Sequence, residues 1–278
     1  MLIFTNSAGE SITFSRNSPY RILTFDGRGG VNAEVQTQKA PFQDGKTWID
    51  SPLEMREIFL EGRIVDDDLT GRRRDLSRVF NPKLGEGILR YTGNGEHPDM
   101  EIICVVEVSP IFAEPGLVVQ DFQVTLLAPN PFWRDTNPTN VKLEDYVGNF
   151  SFPFSFPVAF AIRGDTRVLE NNGHVPTPIK VTFNGEAVNP KITKLNTGEF
   201  IKVNQTIPQG YSLVITTYFN DKSVVIISSD GQETNAMGYI DLESTFFSLD
   251  VGENRLSFIT EGGQPEVYIE YRNLFVGV

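Results

Sequence analysis

Between residues 52 and 80 the chain changes its repeat once, and that change limits what it can fold into. Over residues 52–64 (PLEMREIFLEGRI) apolar side chains stand at Ile58, Leu60 and Ile64, with Glu57, Glu61 and Arg63 between them. A spacing of two puts the first set on one face of a strand and the second on the other. Phe59 interrupts the alternation, and Asp66-Asp67-Asp68 ends it, because three adjacent carboxylates are costly to bury. From Leu69 the spacing turns helical. Leu76, Val79 and Phe80 make a narrow apolar stripe, Thr70 takes the N-cap, and Asn81-Pro82 stops the helix. Gly85 and Gly87 then turn the chain into a second strand, residues 88–91. One helix between two strands is too small to be a domain, so it must lie across a sheet, with Arg72, Arg73, Arg74 and Arg78 on its outer side.

The rest of the chain reads as short strands and turns. Residues 2–4 and 11–14 pair as a hairpin closed at Ser7-Ala8-Gly9, and residues 21–25 form a strand. The glycine run at 26–30 (DGRGG) is followed by a strand at 31–37 rather than a helix. It therefore reads as a flexible turn and not as a dinucleotide fingerprint. Residues 41–46 and 110–116 are loops, and residues 89–91 and 100–108 form a hairpin around the turn at 93–98. Over residues 118–128, Phe122, Val124, Leu126 and Ala128 share one face of a strand.

At 278 residues, with 21 Phe, 24 Gly and 17 Pro, the chain suits one large or two ordinary mainly β domains. The first spans residues 1–133. Residues 134–157, rich in proline, asparagine and phenylalanine, are the linker, with Phe150, Phe152, Phe154 and Phe156 alternating along an extended segment. In the second, 158–278, strands are expected at 179–183, 200–203, 212–219, 224–228, 245–249, 254–260 and 266–272, a spacing that implies a β-sandwich.

Charge and cysteine usage exclude several functions. There are 19 acids against 13 bases before Trp133 and 17 against 11 from it onward, so the net −12 is evenly spread and leaves no basic face for specific nucleic-acid binding. Ten of the first 13 bases are arginine against five of the last 11, which marks the first part as the assembling one. Cys104 is the single cysteine, flanked by Ile102, Ile103, Val105 and Val106, so it reads as a small buried residue in a chain with no internal disulfide. With no bilayer-length apolar run and no signal-like start, the protein is expected to be made in a cytosol and to remain soluble.

Together, ILTFDGRGG at 22–30, LEMREIFLEGRI at 53–64, RRDLSRVFNPKLGEGILRY at 73–91, FQVTLLAPNPFW at 122–133 and VYIEYRNLFVGV at 267–278 resemble the siphovirus tail-component family, the distal tail proteins of long-tailed phages. FSLDVGENRLSF at 247–258 is similar to galectin-like and carbohydrate-binding sandwiches. The resemblance implies a first domain of β-sandwich, helix and hairpin that closes into a hexameric ring, and a second galectin-like, jelly-roll sandwich. It implies a place at the virion tail tip between the tail tube protein and a tail-associated tip, fibre or lysin protein, with the genome passing through the ring. It also implies synthesis in the host bacterial cytoplasm.

No catalytic, cofactor or metal constellation is expected. His97 and His174 stand beside turns without gathered acids. Glu54, Glu57 and Glu61 read as the wet face of a strand rather than as a glycosidase pair. Asp66-Asp67-Asp68 lacks the spaced ligands of a calcium loop. A head-to-tail ring must reuse one surface, and opposite charge suggests Arg72, Arg73 and Arg74 meeting Asp66, Asp67 and Asp68 of a neighbour. The rival is a carbohydrate-binding module for host cell-wall attachment, with Tyr218, Phe219, Tyr239 and Tyr268 near strand ends as the sugar contacts.

Overall fold

The computed structural model describes residues 1–93, 99–143, 145–148, 161–164 and 166–278, and of 145–148 and 161–164 the backbone only. It divides into two compact units. The first comprises 1–136 together with 275–278, and the second comprises 137–274. The phenylalanines at 150–156 and the turn around His97 lie outside the described residues.

In the first unit the strands are β1 (Leu2–Thr5), β2 (Ser11–Phe14), β3 (Tyr20–Phe25), β4 (Gln36–Gln38), β5 (Thr47–Asp50), β6 (Arg56–Val65), β7 (Glu86–Tyr91), β8 (Met100–Phe112), β9 (Val119–Ala128) and β10 (Trp133–Asp135). The helix α1 (Leu69–Val79) is the one α-helix among the described residues. The main sheet runs β2-β1-β7-β8-β9-β6-β3. Its two end strands, β2 and β3, are neighbours in sequence, and the Ser15 amide donates to the Tyr20 carbonyl at 3.2 Å. The sheet therefore folds over on itself. Phe14 of β2 stacks on Phe122 of β9 at 6.2 Å across the interior, and Phe4 of β1 stacks on Phe80 at 4.4 Å. Leu76, Val79 and Phe80 are buried, so α1 covers the core through the stripe its spacing prescribed.

β6 alternates as its sequence requires. Ile58, Leu60 and Ile64 are fully buried, Glu57 and Arg63 are exposed, and Phe59 is partly buried on the outer side. At Gly62 the inner face carries no side chain because the Phe122 ring occupies the space. A Cβ there would sit 2.7 Å from Phe122 Cε1 and 2.9 Å from the Arg21 carbonyl oxygen. β8 continues past its expected end through Pro110 to Phe112, with register shifts between Val106 and Val108 and between Val108 and Ile111. Bulges accommodate a residue that has no amide to give the ladder.

Arg56, the first residue of β6, is 2 % exposed, and no carboxylate among the described residues pairs with it. Its Nε donates to the Pro131 carbonyl at 2.7 Å, and its Nη1 donates to the carbonyls of Gly27 at 2.8 Å and Gly29 at 3.0 Å. Its Nη2 donates to the Val276 carbonyl. Burial lowers the Arg56 pKa, yet guanidinium starts high enough to keep its proton. The Gly27 carbonyl also accepts from Trp133 Nε1 at 3.2 Å. The glycine run read as a flexible turn is thus a carbonyl cradle. Gly27 has φ 103°, and a Cβ there would meet the Ile58 side chain at 2.9 Å, so only glycine brings this carbonyl to Arg56.

Between Gly30 and Arg56 the chain forms a two-stranded arm. β4 and β5 pair only with each other. The ladder is extended toward the root by the bridge Ala33–Leu53 and by amide bonds from Glu34 to Pro52 and from Glu54 to Asn32, each 2.9 Å. The strand expected to start at 52 therefore starts at Arg56, and 52–55 belong to the arm.

The second unit is a two-sheet sandwich. One sheet orders Thr139–Lys142, Glu266–Tyr271, Ile179–Asn184, Ser212–Tyr218, Asp221–Ile227 and Glu233–Asn235. The other orders Thr166–Asn171, Gly252–Ile259, Lys191–Lys194 and Phe200–Lys202. Phe183 and Phe258 meet edge to face between the two sheets at 6.2 Å. Residues 245–249, expected as a strand, form no ladder. Phe247 and Leu249 are buried, but the segment attaches by single bonds, Thr245 to Phe200 and Leu249 reciprocally with Thr177. Of the stretch 134–157 the described part supplies strands: β10 pairs with β8, Thr139–Lys142 pairs with Glu266–Tyr271, and Asp145–Gly148 pairs with Ala161–Gly164.

Both tryptophans, Trp48 and Trp133, lie in the first unit, so tryptophan fluorescence in urea reports the unfolding of that unit alone. By this readout Gly62→Ala should cost about 1–3 kcal/mol through overpacking. Arg56→Met should cost about 3 kcal/mol or more by leaving buried carbonyls without donors, and Arg56→Lys should fall between it and the parent chain. Burial pushes the Cys104 thiol up to about 12. A thiol reagent at mildly alkaline pH should therefore titrate no thiol in the folded chain and one after unfolding.

Candidate assembly interface

The acid triplet starts the helix as well as ending the strand. Asp68 is the N-cap, two residues before the expected Thr70, and its Oδ1 accepts from the Gly71 amide at 2.9 Å. Asp66 Oδ1 accepts from the Asp68 amide at 2.8 Å, and its Oδ2 accepts from Arg72 Nε at 2.8 Å. The Asp68 amide first and the Arg72 guanidinium second hold the Asp66 carboxyl below its usual range. Asp66 and Arg72 therefore meet within one chain. Arg78 reaches Glu10 at 3.2 Å and Asp75 at 3.3 Å. Arg73 and Arg74 form no ion pair among the described residues, and Arg73 lies over the Phe112 ring at 4.8 Å. With Thr70, Ser77 and Arg78 they line a shallow cleft of about 440 Å³.

Beside this cationic face the end of the β8–β9 hairpin exposes apolar side chains. Ile111, Leu117 and Val118 are all exposed, Leu117 almost fully at 97 %. They adjoin the helix start, because the Asp66 amide donates to the Val118 carbonyl at 3.1 Å.

The second exposed surface is the arm. Val35, Phe42, Trp48, Ile49, Leu53 and Met55 are exposed, Trp48 at 63 %. Trp48 and Ile49 are consecutive on β5, so both faces of the ribbon meet solvent. A cleft of about 760 Å³ opens at the arm's root, bounded by Asp26, Asn32, Glu34, Glu54 and Glu57 among others. Sequence periodicity distinguishes neither the arm nor the hairpin end. The one signal was Trp48-Ile49 followed by Met55, apolar residues with no matching polar alternation.

Of the glutamates weighed for chemistry, Glu54 on the arm and Glu57 on β6 both border the cleft at the arm's root, whereas Glu61 lies outside it and accepts from Thr24 Oγ1 at 3.1 Å. His174 is exposed, and its amide donates to the Leu274 carbonyl. Among the described residues no group of three His, Cys, Asp or Glu could hold a metal, and no helix is long and apolar enough to cross a membrane. In the second unit Tyr218 and exposed Phe219 stand at a hairpin tip. Tyr239 ends a short 3-10 turn, and Tyr268 lies on Glu266–Tyr271 with its hydroxyl on Glu266 at 3.1 Å. Tyr268 shares a rung with Thr182, and Thr182 with Val214, four residues from Tyr218, or about 13 Å along the strand. Tyr218 and Tyr268 therefore do not share one stacking surface. A cleft of about 290 Å³ in this unit is bounded by Lys222–Val225, Glu233, Asn235 and Met237, and by none of these aromatics.

Comparison with known proteins matches both units. Residues 7–155 match the family model of the phage tail protein RIFT-related domain, and residues 172–275 match that of the siphovirus-type tail component, C-terminal domain. No curated protein sequence matches the chain. Among solved structures it is similar to the Dit protein of phage SPP1, described as a paradigm of the hub of adsorption apparatuses in phages infecting Gram-positive hosts. The TM-score is 0.71 at 12 % identity over 99 % of each chain. It is also similar to a chain of the phage P2 baseplate in its activated conformation, with calcium (TM-score 0.60) and with strontium (0.56), each at 10 % identity over 100 % of this chain and 98 % of that one. With a family model covering more than half its length and a second covering most of the sandwich, this chain belongs to the siphovirus tail-component family, the phage distal tail proteins.

Proposed function

We propose that this chain is the symmetric hub of a siphophage tail tip. Six copies close into a ring through the first unit, the role assigned from sequence to residues 1–133. The tail tube protein meets one face of the ring, and a tail-associated tip, fibre or lysin protein meets the other. The second unit, 158–278 in that reading, is offered to peripheral partners, and the genome crosses the central hole. The protein is made in the cytoplasm of the host bacterium and resides in the virion. Its work is mechanical, with no reaction to catalyse.

One observation carries the reading: the first unit holds out a β ribbon with both faces uncovered. An isolated two-stranded ribbon is marginal in water, and large exposed apolar patches mark interaction surfaces. The family match and the shared fold with a phage adsorption hub support the same conclusion.

Light scattering on the purified chain should return the mass of six copies, and negative-stain images should show a ring. A single-chain mass at all concentrations would remove the ring from this account. The wall of the hole should be neutral or acidic, since net −12 leaves few cations to hold passing phosphates. A wall lined mainly by lysine and arginine would contradict genome passage of this kind.

A further inference from the structure

We infer that the arm of one copy docks on the opposite end of a second copy's first unit, where the β8–β9 hairpin meets the outer face of α1. The proposal rests on the ring reading above and supplies its contact surfaces.

Three observations converge. The two exposed apolar surfaces of this unit stand at opposite ends of one ladder. β6 and β9 pair from Arg56–Ala128, at the arm's root, to Val65–Val119, beside the hairpin end. Ten rungs separate these ends by about 30 Å. A contact joining them is head to tail, the kind that propagates until it closes as a ring. Charge is complementary as well. Residues 31–55 carry four acids, Glu34, Asp44, Asp50 and Glu54, against Lys39 and Lys46. The receiving end presents Arg73 and Arg74, which no carboxylate among the described residues neutralises. Size is adequate too. At their exposures the arm's six apolar side chains offer on the order of several hundred Å², near the ~800 Å² that each partner contributes to a standard interface.

Docking would cover apolar side chains of a ribbon that no described element of its own chain covers. It would seat aromatic side chains beside Ile111, Leu117 and Val118, and acids against a planar guanidinium pair suited to carboxylates. A second copy is favoured over any other occupant because both halves of the contact are present on one molecule, at ends that cannot reach each other within it.

The test uses two full-length variants at exposed positions, an arm variant (Phe42→Asp with Trp48→Asp) and a receiver variant (Arg73→Glu with Arg74→Glu). Thermal unfolding by circular dichroism checks that both remain folded. Light scattering across a concentration series should show self-association at least about tenfold weaker for each than for the parent chain. Mixed one to one, they should form a two-chain species and nothing larger, because each pair retains one intact contact: the arm of the receiver variant on the receiver of the arm variant. If either folded variant assembles as the parent does, the proposed docking is overturned while the ring stands. If the mixture stays single-chain, the contact is not head to tail and the proposal is likewise overturned. A parent chain that is single at every concentration overturns both the docking and the ring.

Discussion

A guanidinium buried among backbone carbonyls organises the first unit. Arg56 joins the start of the central strand β6 to the glycine cradle at 27–29, to the Pro131 turn and to Val276. A charge taken out of water is costly unless hydrogen bonds replace its hydration. Here four carbonyls do so through a fork that can address them in different directions, which an ammonium on a flexible stem cannot match. Because Gly27 and Gly29 begin the outgoing leg of the arm and Arg56 ends the returning leg, the same bonds clamp both legs at the root. The arm has no core of its own, and this clamp sets where it leaves the sheet.

The two units show different uses of polar groups. Arg63 and Asp121 pair through two bonds, 2.6 and 2.9 Å, on an exposed surface where solvent screens them. Glu101, whose side chain is 3 % exposed, is held by Arg90 and Arg134 and ties β7, β8 and β10 together. In the second unit Lys194, equally buried, reaches Asp250 at 2.6 Å and the Ser248 carbonyl at 2.9 Å, anchoring the unpaired segment at 245–249. Arg73 and Arg74, on the outer face of α1, are held by no such carboxylate among the described residues, and Arg73 rests on the Phe112 ring instead.

What the sequence allowed one to read follows from local periodicity. Ile58, Leu60 and Ile64 announced the inner face of β6, Leu76, Val79 and Phe80 the buried stripe of α1, and Phe122, Val124 and Leu126 the inner face of β9. The misreadings share a cause. Thr70 is a good cap residue, but Asp68 has the geometry because Asp66 and Arg72 position the turn before the helix. Residues 245–249 have strand-like composition, yet their backbone finds single partners rather than a ladder. The glycine run looked flexible because its task, presenting carbonyls, involves no side chain at all.

By itself, then, the sequence determined the class of the fold and the faces that enter each core, since apolar spacing acts over a few residues and water enforces it everywhere. It also marked Cys104 as a buried, unreactive thiol. Only the tertiary structure decided that Arg56 is buried and that residues 31–55 leave the sheet as a bare ribbon. It likewise showed Asp66 satisfied by Arg72 of the same chain. These outcomes depend on which distant carbonyl, ring or carboxylate arrives at a given point, and that is settled by closing the sheet on itself, not by any neighbour in the chain.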